Sequence, residues 1–316
     1  MFIIRNRTII YWLVGLVSVI AIAATIFYGL TIGIEFTGGT LTEVSYPEGR
    51  PDRAAVETKL AALDIGEHSL RNSGANKYLL RTKSLDQEKA QQVNNALSLD
   101  TSVKMVLERN TQIGPVIGQE LKSKAWVAIL LVILTIILYV TYVFRKVSEP
   151  VSSWMYGVIT VFVLLHDLIV PIGIFAMLGH FMGAEVDVLF VMAVLTILGY
   201  SVNDTIVVFD RVRENLRLNE EQNVTQSFDE LVGGALMQTM VRSINTSVVT
   251  FLGVMALLVY GAEVTKYFAL VLAAGVVAGT YSSILLASPL LVTIEAWQRN
   301  RAPVEVAIPG KQKRKK

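Results

Sequence analysis

Residues 188–209 read VLFVMAVLTILGYSVNDTIVVF, an apolar run with a single ionisable residue, Asp204. A hydrocarbon core takes about 20 helical residues to cross, so the run is long enough to be one membrane crossing. A charged side chain inside such a crossing is costly unless it is paired, hydrated or neutral. Tyr200, Asn203 and Asp204 stand at i, i+3 and i+4 and so share a helix face. Thr196 and Val207 extend that stripe, which has to face other helices or water.

Five further runs flank this one. Residues 9–30 and 125–144 carry no charge, and 152–178 is interrupted only by His166 and Asp167. Residues 243–260 and 267–294 are charge-free. Backbone groups in lipid must be satisfied within their own segment, which requires helices. The whole chain agrees: of 316 residues 53% are hydrophobic and only 17% charged, where a soluble domain carries about 25%. Arg5 and Arg7 precede the first run and Ala21-Ile22-Ala23 is a cleavage-like pattern. The run continues to Leu30, beyond a signal core, and is read as a retained anchor.

The short loops set the orientation. Arg5 and Arg7 lie before the first run, Arg145 and Lys146 after the second, and Arg211, Arg213, Arg217 and Arg242 between the fourth and fifth. The tail 295–316 adds Arg299, Arg301 and the cluster Lys311, Lys313, Arg314, Lys315 and Lys316. Between these, residues 179–187 have no Lys or Arg and 261–266 only Lys266. Both termini, 1–8 and 295–316, are therefore expected in the cytoplasm. The cluster 311–316 reads either as a solvated, lipid-facing tail or as a contact for a partner.

Residues 31–124 hold twelve basic and twelve acidic residues, the balance of an ordinary soluble domain carried to the outer side. Strands are predicted over 41–46, 68–72, 77–82 and 103–108, and helices over 52–63 and 86–99. The order is βαββαβ, the ferredoxin-like split arrangement. His68 beside a turn reads as a solvated polar residue. Gly114, Pro115 and Gly118 mark either a hinge or a plain helix start. The fold class is thus an α-helical integral membrane protein with six transmembrane helices. One ferredoxin-like extracytoplasmic domain lies between the first two.

Absent residue types exclude whole chemistries. With no cysteine there is no disulfide, thiolate metal site or cysteine nucleophile. Three histidines leave little room for a histidine-rich metal site, and a net charge of +2 does not argue for nucleic acid. No cofactor is expected, and no Walker box is present, so ATP hydrolysis by a P-loop is excluded. Gly33-Ile34-Glu35-Phe36-Thr37-Gly38-Gly39-Thr40 is a tight glycine-bearing connection that lacks the lysine of a phosphate loop.

Three intramembrane groups remain. Asp204 lies near the cytoplasmic end of its run, and Arg242 opens the next, with Asn245, Thr246 and Val249 on its face. At 1.5 Å per residue the two fall at similar depth. An aspartate opposite an arginine, with water on one side, can protonate reversibly while the arginine stays charged. The plainer alternatives are a packing carboxylate and a positive-inside anchor. Asp167, next to His166, reads either as a pathway residue or as a buried structural one, and His166 as a neutral core histidine. Gly275 and Gly279, flanked by Ser282 and Ser283, form a GxxxG pattern suited to close helix contact.

Residues 199–215, GYSVNDTIVVFDRVREN, resemble the fourth-span signature of the SecF branch of the SecD/SecF family, within the resistance-nodulation-division superfamily. Gly33, Phe36, Gly38 and Gly39 are similar to the family's glycine motif, in which Glu35 replaces the usual aspartate. Gly199 and Tyr200 open the signature, and His166-Asp167-Leu168-Ile169 resembles the third-span motif. The loop before Arg242 is a few residues longer than usual.

The resemblance implies a non-enzymatic subunit in the bacterial cytoplasmic membrane that uses protons as its coupling ion. It implies SecD as partner in a heterodimer beside the SecYEG channel, with SecA indirectly and YajC and YidC as further associates. The translocating preprotein and membrane lipid complete the contacts, with no nucleic acid. Asp204 and Arg242 would be proton-pathway residues facing an aspartate of SecD, with Asn203 and Asp167 beside them. A small-molecule or lipid exporter half of the same superfamily is the alternative, against which stand the short length and single outer domain. An intramembrane aspartyl protease using Asp167 and Asp204 would need Gly-x-Gly-Asp, where this chain has Ser201-Val202-Asn203-Asp204.

Overall fold

A computed structural model describes residues 2–145 and 151–301. Lys146 and the basic cluster at 311–316 lie outside the described residues. In chain order the elements are α1 (Phe2–Arg5), α2 (Arg7–Tyr28), α3 (Ile34–Thr37), β1 (Gly39–Ser45), α4 (Arg53–Ala61), β2 (His68–Ser73), β3 (Lys77–Thr82), α5 (Gln87–Leu97) and β4 (Val106–Ile113). There follow α6 (Pro115–Val143), α7 (Ser153–Met182), α8 (Val188–Glu221), α9 (Phe228–Tyr260), α10 (Lys266–Ser282) and α11 (Ser288–Arg301). Among the described residues six helices are long and apolar enough to cross a membrane, the last running from α10 through α11. The chain is a multi-pass membrane protein.

Between α2 and α6 the four strands form one antiparallel sheet in the order β2-β3-β1-β4. That order and the two intervening helices give the βαββαβ arrangement. Alternation drives it: in β3, Tyr78, Leu80 and Thr82 point inward and are buried. Tyr78 and Leu80 share a core with Val56 and Leu60 of α4 and Val93 and Leu97 of α5. The Tyr46 hydroxyl is buried there and donates to the Leu97 carbonyl at 2.9 Å, so the one polar atom of a large core residue is satisfied.

Some expected boundaries shift, and the stretch 114–118 is the plain helix start of the two readings. The fourth strand begins at Val106, not 103, because Leu99, Asp100 and Thr101 all turn with positive φ (48°, 58° and 69°). Ser98 Oγ accepts the Thr101 N–H at 3.2 Å to hold that turn. At Gly114 and Pro115 the chain starts a helix: Gly114 caps α6 and Pro115 fills its first turn, where no N–H is needed. The polar stretches 210–221 and 228–242, read as loop, are helical extensions of α8 and α9. Ion pairs Arg213–Asp210, Arg211–Glu214 (2.5 Å) and Arg217–Glu221 (3.7 Å) line the α8 extension, and Arg211 Nε donates to Gln238 Oε1 at 2.6 Å. Ser227 caps α9, so Arg242 sits well inside that helix and does not open it.

The helices pack through small residues. A Cβ on Gly173 of α7 would lie 2.6 Å from Ala21 Cα of α2, and one on Gly279 of α10 would lie 3.0 Å from Ser201 Cβ of α8. Gly275 rests against the Ile197 side chain. The GxxxG pattern is thus the seam between α10 and α8. Past that seam, Ser283–Ala287 winds as a π-helix ahead of Pro289, which has no N–H to donate and would clash in a regular α-turn.

Candidate functional site

Asp204 lies inside the helix bundle, 3% exposed. Ser247 Oγ, from α9, donates to its Oδ2 at 3.4 Å, and the Tyr200 hydroxyl donates to Ser247 Oγ at 2.9 Å. Tyr200 and Asp204 are one turn apart on α8, so a single hydroxyl on α9 meets both. Ser243, one turn before Ser247, is buried on the same side of α9.

One turn back along α8, Ser201 reaches a second carboxylate. Asp167 on α7 is fully buried and accepts from Ser201 Oγ and from Ser282 Oγ of α10, the latter at 2.8 Å, both on Oδ2. Its Oδ1 meets His166 Nδ1 at 2.9 Å. His166 Nε2 in turn meets the Tyr281 hydroxyl at 3.2 Å. With Asp167 ionised, Nδ1 carries the proton and Tyr281 donates to Nε2. A buried carboxylate is costly alone, and here it has three partners drawn from three helices. Ser201 and Asp204, three residues apart on α8, put the two carboxylates in neighbouring layers of one polar seam across α7, α8, α9 and α10.

The remaining expected residues fall elsewhere. Asn203, Gly199 and Thr196 are exposed on α8, so the stripe divides: Asp204 turns in while Asn203 turns out. Arg242 is also exposed, and among the described residues its side chain makes no hydrogen bond or ion pair. Arg242 acts on Asp204 through its charge, without a direct hydrogen bond or ion pair between them among the described residues. Ser243 and Ser247, four apart, aim at α8, and each helical step turns about 100°, which carries Arg242 to the neighbouring face. Arg242, Asn245 and Thr246 of α9 together leave a polar strip uncovered in a span.

His166, read as a neutral core histidine, belongs to the seam with Ser201, Ser247, Tyr281 and Ser282, none of which the sequence reading made a partner of a carboxylate. Their only signal was polarity inside apolar runs at helical spacing from Asp167 and Asp204. Among the described residues no cluster of His, Asp and Glu could hold a metal ion.

The glycine segment has its own geometry. Phe36 is buried, Gly38 and Gly39 take φ of +74° and +130°, and Gly33 N donates to the Val186 carbonyl at 2.8 Å. Glu35 Oε2 accepts the Val188 N–H at 2.6 Å, at the very start of the helix that carries Asp204.

Comparison with known proteins follows the same lines. The family model described as protein export membrane protein SecD/SecF, C-terminal, matches residues 92–297. The protein translocase subunit SecF of Thermobaculum terrenum is 36% identical over 306 residues, 93% of this chain and 93% of the relative. That of Pseudomonas aeruginosa is 32% identical, over 94% of this chain and 92% of its own. Among solved structures, SecDF of Thermus thermophilus, a translocon-associated membrane protein, superposes with a TM-score of 0.79 at 28% identity. The match covers 94% of this chain but 38% of that one. A second SecDF structure, the super-membrane-facing form, gives 0.62 at 28% identity. These similarities support a SecD-related partner for this chain. By sequence over nearly its whole length and by fold, the chain belongs to the SecD/SecF family of protein-export membrane proteins, on the SecF side.

Proposed function

We propose that the chain is a non-enzymatic translocase subunit that pairs with SecD in the bacterial cytoplasmic membrane and uses the proton gradient to complete preprotein export. In this reading SecA and SecYEG drive the early movement, and YajC and YidC associate nearby. Both termini lie in the cytoplasm and the βαββαβ domain lies outside. The observation that carries it is Asp204: a carboxylate 3% exposed within a span, held by hydroxyls and, among the described residues, without an ion pair. Such a group is tolerated where it exchanges a proton. Asn203, Arg242, Asn245 and Thr246 are uncovered on the adjoining helix faces, and a partner's helices satisfy them. Arg242 then meets its counter-charge on SecD. Asp167, with its full set of partners, holds the helices that the pathway crosses. The exporter-half alternative is not favoured by the translocase names of the relatives.

Two measurements test this. The chain should co-purify from membranes with a SecD-like protein, and recovery solely as a proton-conducting monomer would contradict it. Protease added outside spheroplasts should cut within residues 31–124 and spare 211–242. The reverse pattern would invert the topology.

A further inference from the structure

The segment 33–40 touches four elements at once. Gly33 N to the Val186 carbonyl and Val186 N to the Thr31 carbonyl, both 2.8 Å, form a parallel bridge between the exit of α2 and the α7–α8 loop. Arg81, from β3, donates to the Ile32 carbonyl at 2.7 Å and to Thr37 Oγ1 at 2.7 Å, and lies 3.8 Å from Glu185. A Cβ on Gly38 would lie 2.9 Å from Pro115 Cα, and one on Gly118 would lie 2.8 Å from Gly38 N, so α6 starts in van der Waals contact with the segment. Gly39 opens β1, opposite Ile113 of β4. The glycines are required by this crowding and by φ values that other residues resist.

Glu35 is what reaches from this junction into the bundle. The first four N–H groups of a helix have no partner within it. Asp187 takes the N–H of Phe190 at 2.7 Å, and Glu35, from far away in sequence, takes that of Val188 at 2.6 Å. An anionic acceptor there also complements the positive end of the helix. From Val188 the same helix runs unbroken past Asp204, about 24 Å along its axis at 1.5 Å per residue.

We infer that Glu35 and Arg81 are a positioning pair that couples the two halves of the molecule: Glu35 grips the N-terminus of the Asp204 helix, Arg81 grips the same segment from the sheet, and displacement of α8 is delivered to the outer domain through them. The inference rests on the proton-driven reading above and names the residues through which that drive leaves the membrane. A loop would dissipate the displacement. A bridge of short bonds on either side of a stiff rod does not.

The test is preprotein completion in vesicles carrying the full complex, with and without a proton gradient. Glu35→Ala should slow the gradient-dependent part on the order of tenfold, as expected for losing a charged hydrogen bond, and leave ATP-driven movement intact. Glu35→Gln keeps an acceptor oxygen and should retain most of the gradient effect. Arg81→Ala should reproduce Glu35→Ala. Because the chain has no cysteine, Ile32→Cys with Val186→Cys makes one defined disulfide. Bridge-paired residues stand about 5 Å apart, within disulfide reach. In the Glu35→Ala background, oxidation should restore gradient-dependent completion and reduction should remove it again, in the same protein sample. A Glu35→Ala variant that completes normally, or one that oxidation leaves defective, overturns the coupling role alone. A wild type indifferent to the gradient overturns the proton-driven reading and the coupling with it.

Discussion

Ser247 Oγ donates to Asp204 Oδ2 at 3.4 Å while accepting the Tyr200 hydroxyl at 2.9 Å, so one side chain on α9 connects two positions of α8. Ser247→Ala leaves both α8 groups without that partner. Interhelical hydrogen bonds in membranes contribute about 0.6–1.7 kcal/mol, so the loss to stability should be of that size. The larger effect should be on the pH dependence of gradient-driven completion, because Asp204 loses a donor to its ionised form. A shift in stability with an unchanged pH profile would reduce Ser247 to a packing residue.

The α8–α10 seam gives a steric prediction. Gly279→Val places branched carbons where even a Cβ lies 3.0 Å from Ser201 Cβ. Overpacking of this kind costs about 1–3 kcal/mol. Here it also displaces Ser201 from Asp167, leaving a buried carboxylate short of a donor. Gly199→Ala is the informative contrast, since a Cβ there meets nothing within 4 Å in this chain. Thermal melting in detergent should fall for Gly279→Val and hold for Gly199→Ala. If Gly199→Ala nonetheless loses the SecD-like partner, the exposed face of α8 is part of the interface.

Glu185, in the α7–α8 loop, supplies a pH signature of the junction. Burial pushes its carboxyl above the ordinary glutamate value of 4.5, and Arg81 and Arg71 offset this only in part. The folded state therefore holds a proton that the unfolded chain releases. Its stabilising contribution is complete below pH 4.5 and is lost as pH rises through the raised folded value. Glu185→Gln mimics the protonated form. The melting-temperature difference between variant and wild type should be small in acid and grow in favour of the variant as pH rises. A difference that does not vary with pH would refute this.

Much of the architecture was readable because each crossing is a long apolar run, and β1 and β3 of the outer domain alternate. Asp204 and Asp167 stood out because a carboxylate in such a run is conspicuous. What hydropathy could not see were the polar ends of α8 and α9, which remain helical through ion pairs such as Arg211–Glu214 and through the Ser227 cap. That omission put Arg242 at a helix start instead of deep within α9. The late start of β4 was hidden for a different reason: its turn uses left-handed Leu99, Asp100 and Thr101 without a glycine. The donor roles of Ser201, Ser247 and Ser282 were hidden because a serine in a span is cheap, and only the packing of α7, α8, α9 and α10 reveals that they converge on two carboxylates. Glu35 reached Val188 through a contact between distant segments, which no local pattern carries.

Asp204→Asn separates the seam's packing from its proton chemistry. Asparagine keeps the size of the side chain and still offers a carbonyl oxygen to Ser247 Oγ, so the α8–α9 contact at that position survives. Removing the charge relieves the desolvation that an ionised carboxylate suffers in the bundle, so stability should hold or rise. The variant should assemble with its partner and support ATP-driven movement of a preprotein at the wild-type rate. What an amide cannot do is gain and release a proton, so the part of translocation that depends on the gradient should disappear. Vesicles with matched amounts of wild type and Asp204→Asn, assayed with and without a proton gradient, give the comparison. If the variant completes translocation in a gradient-dependent manner, Asp204 is a packing carboxylate and the proton pathway lies elsewhere.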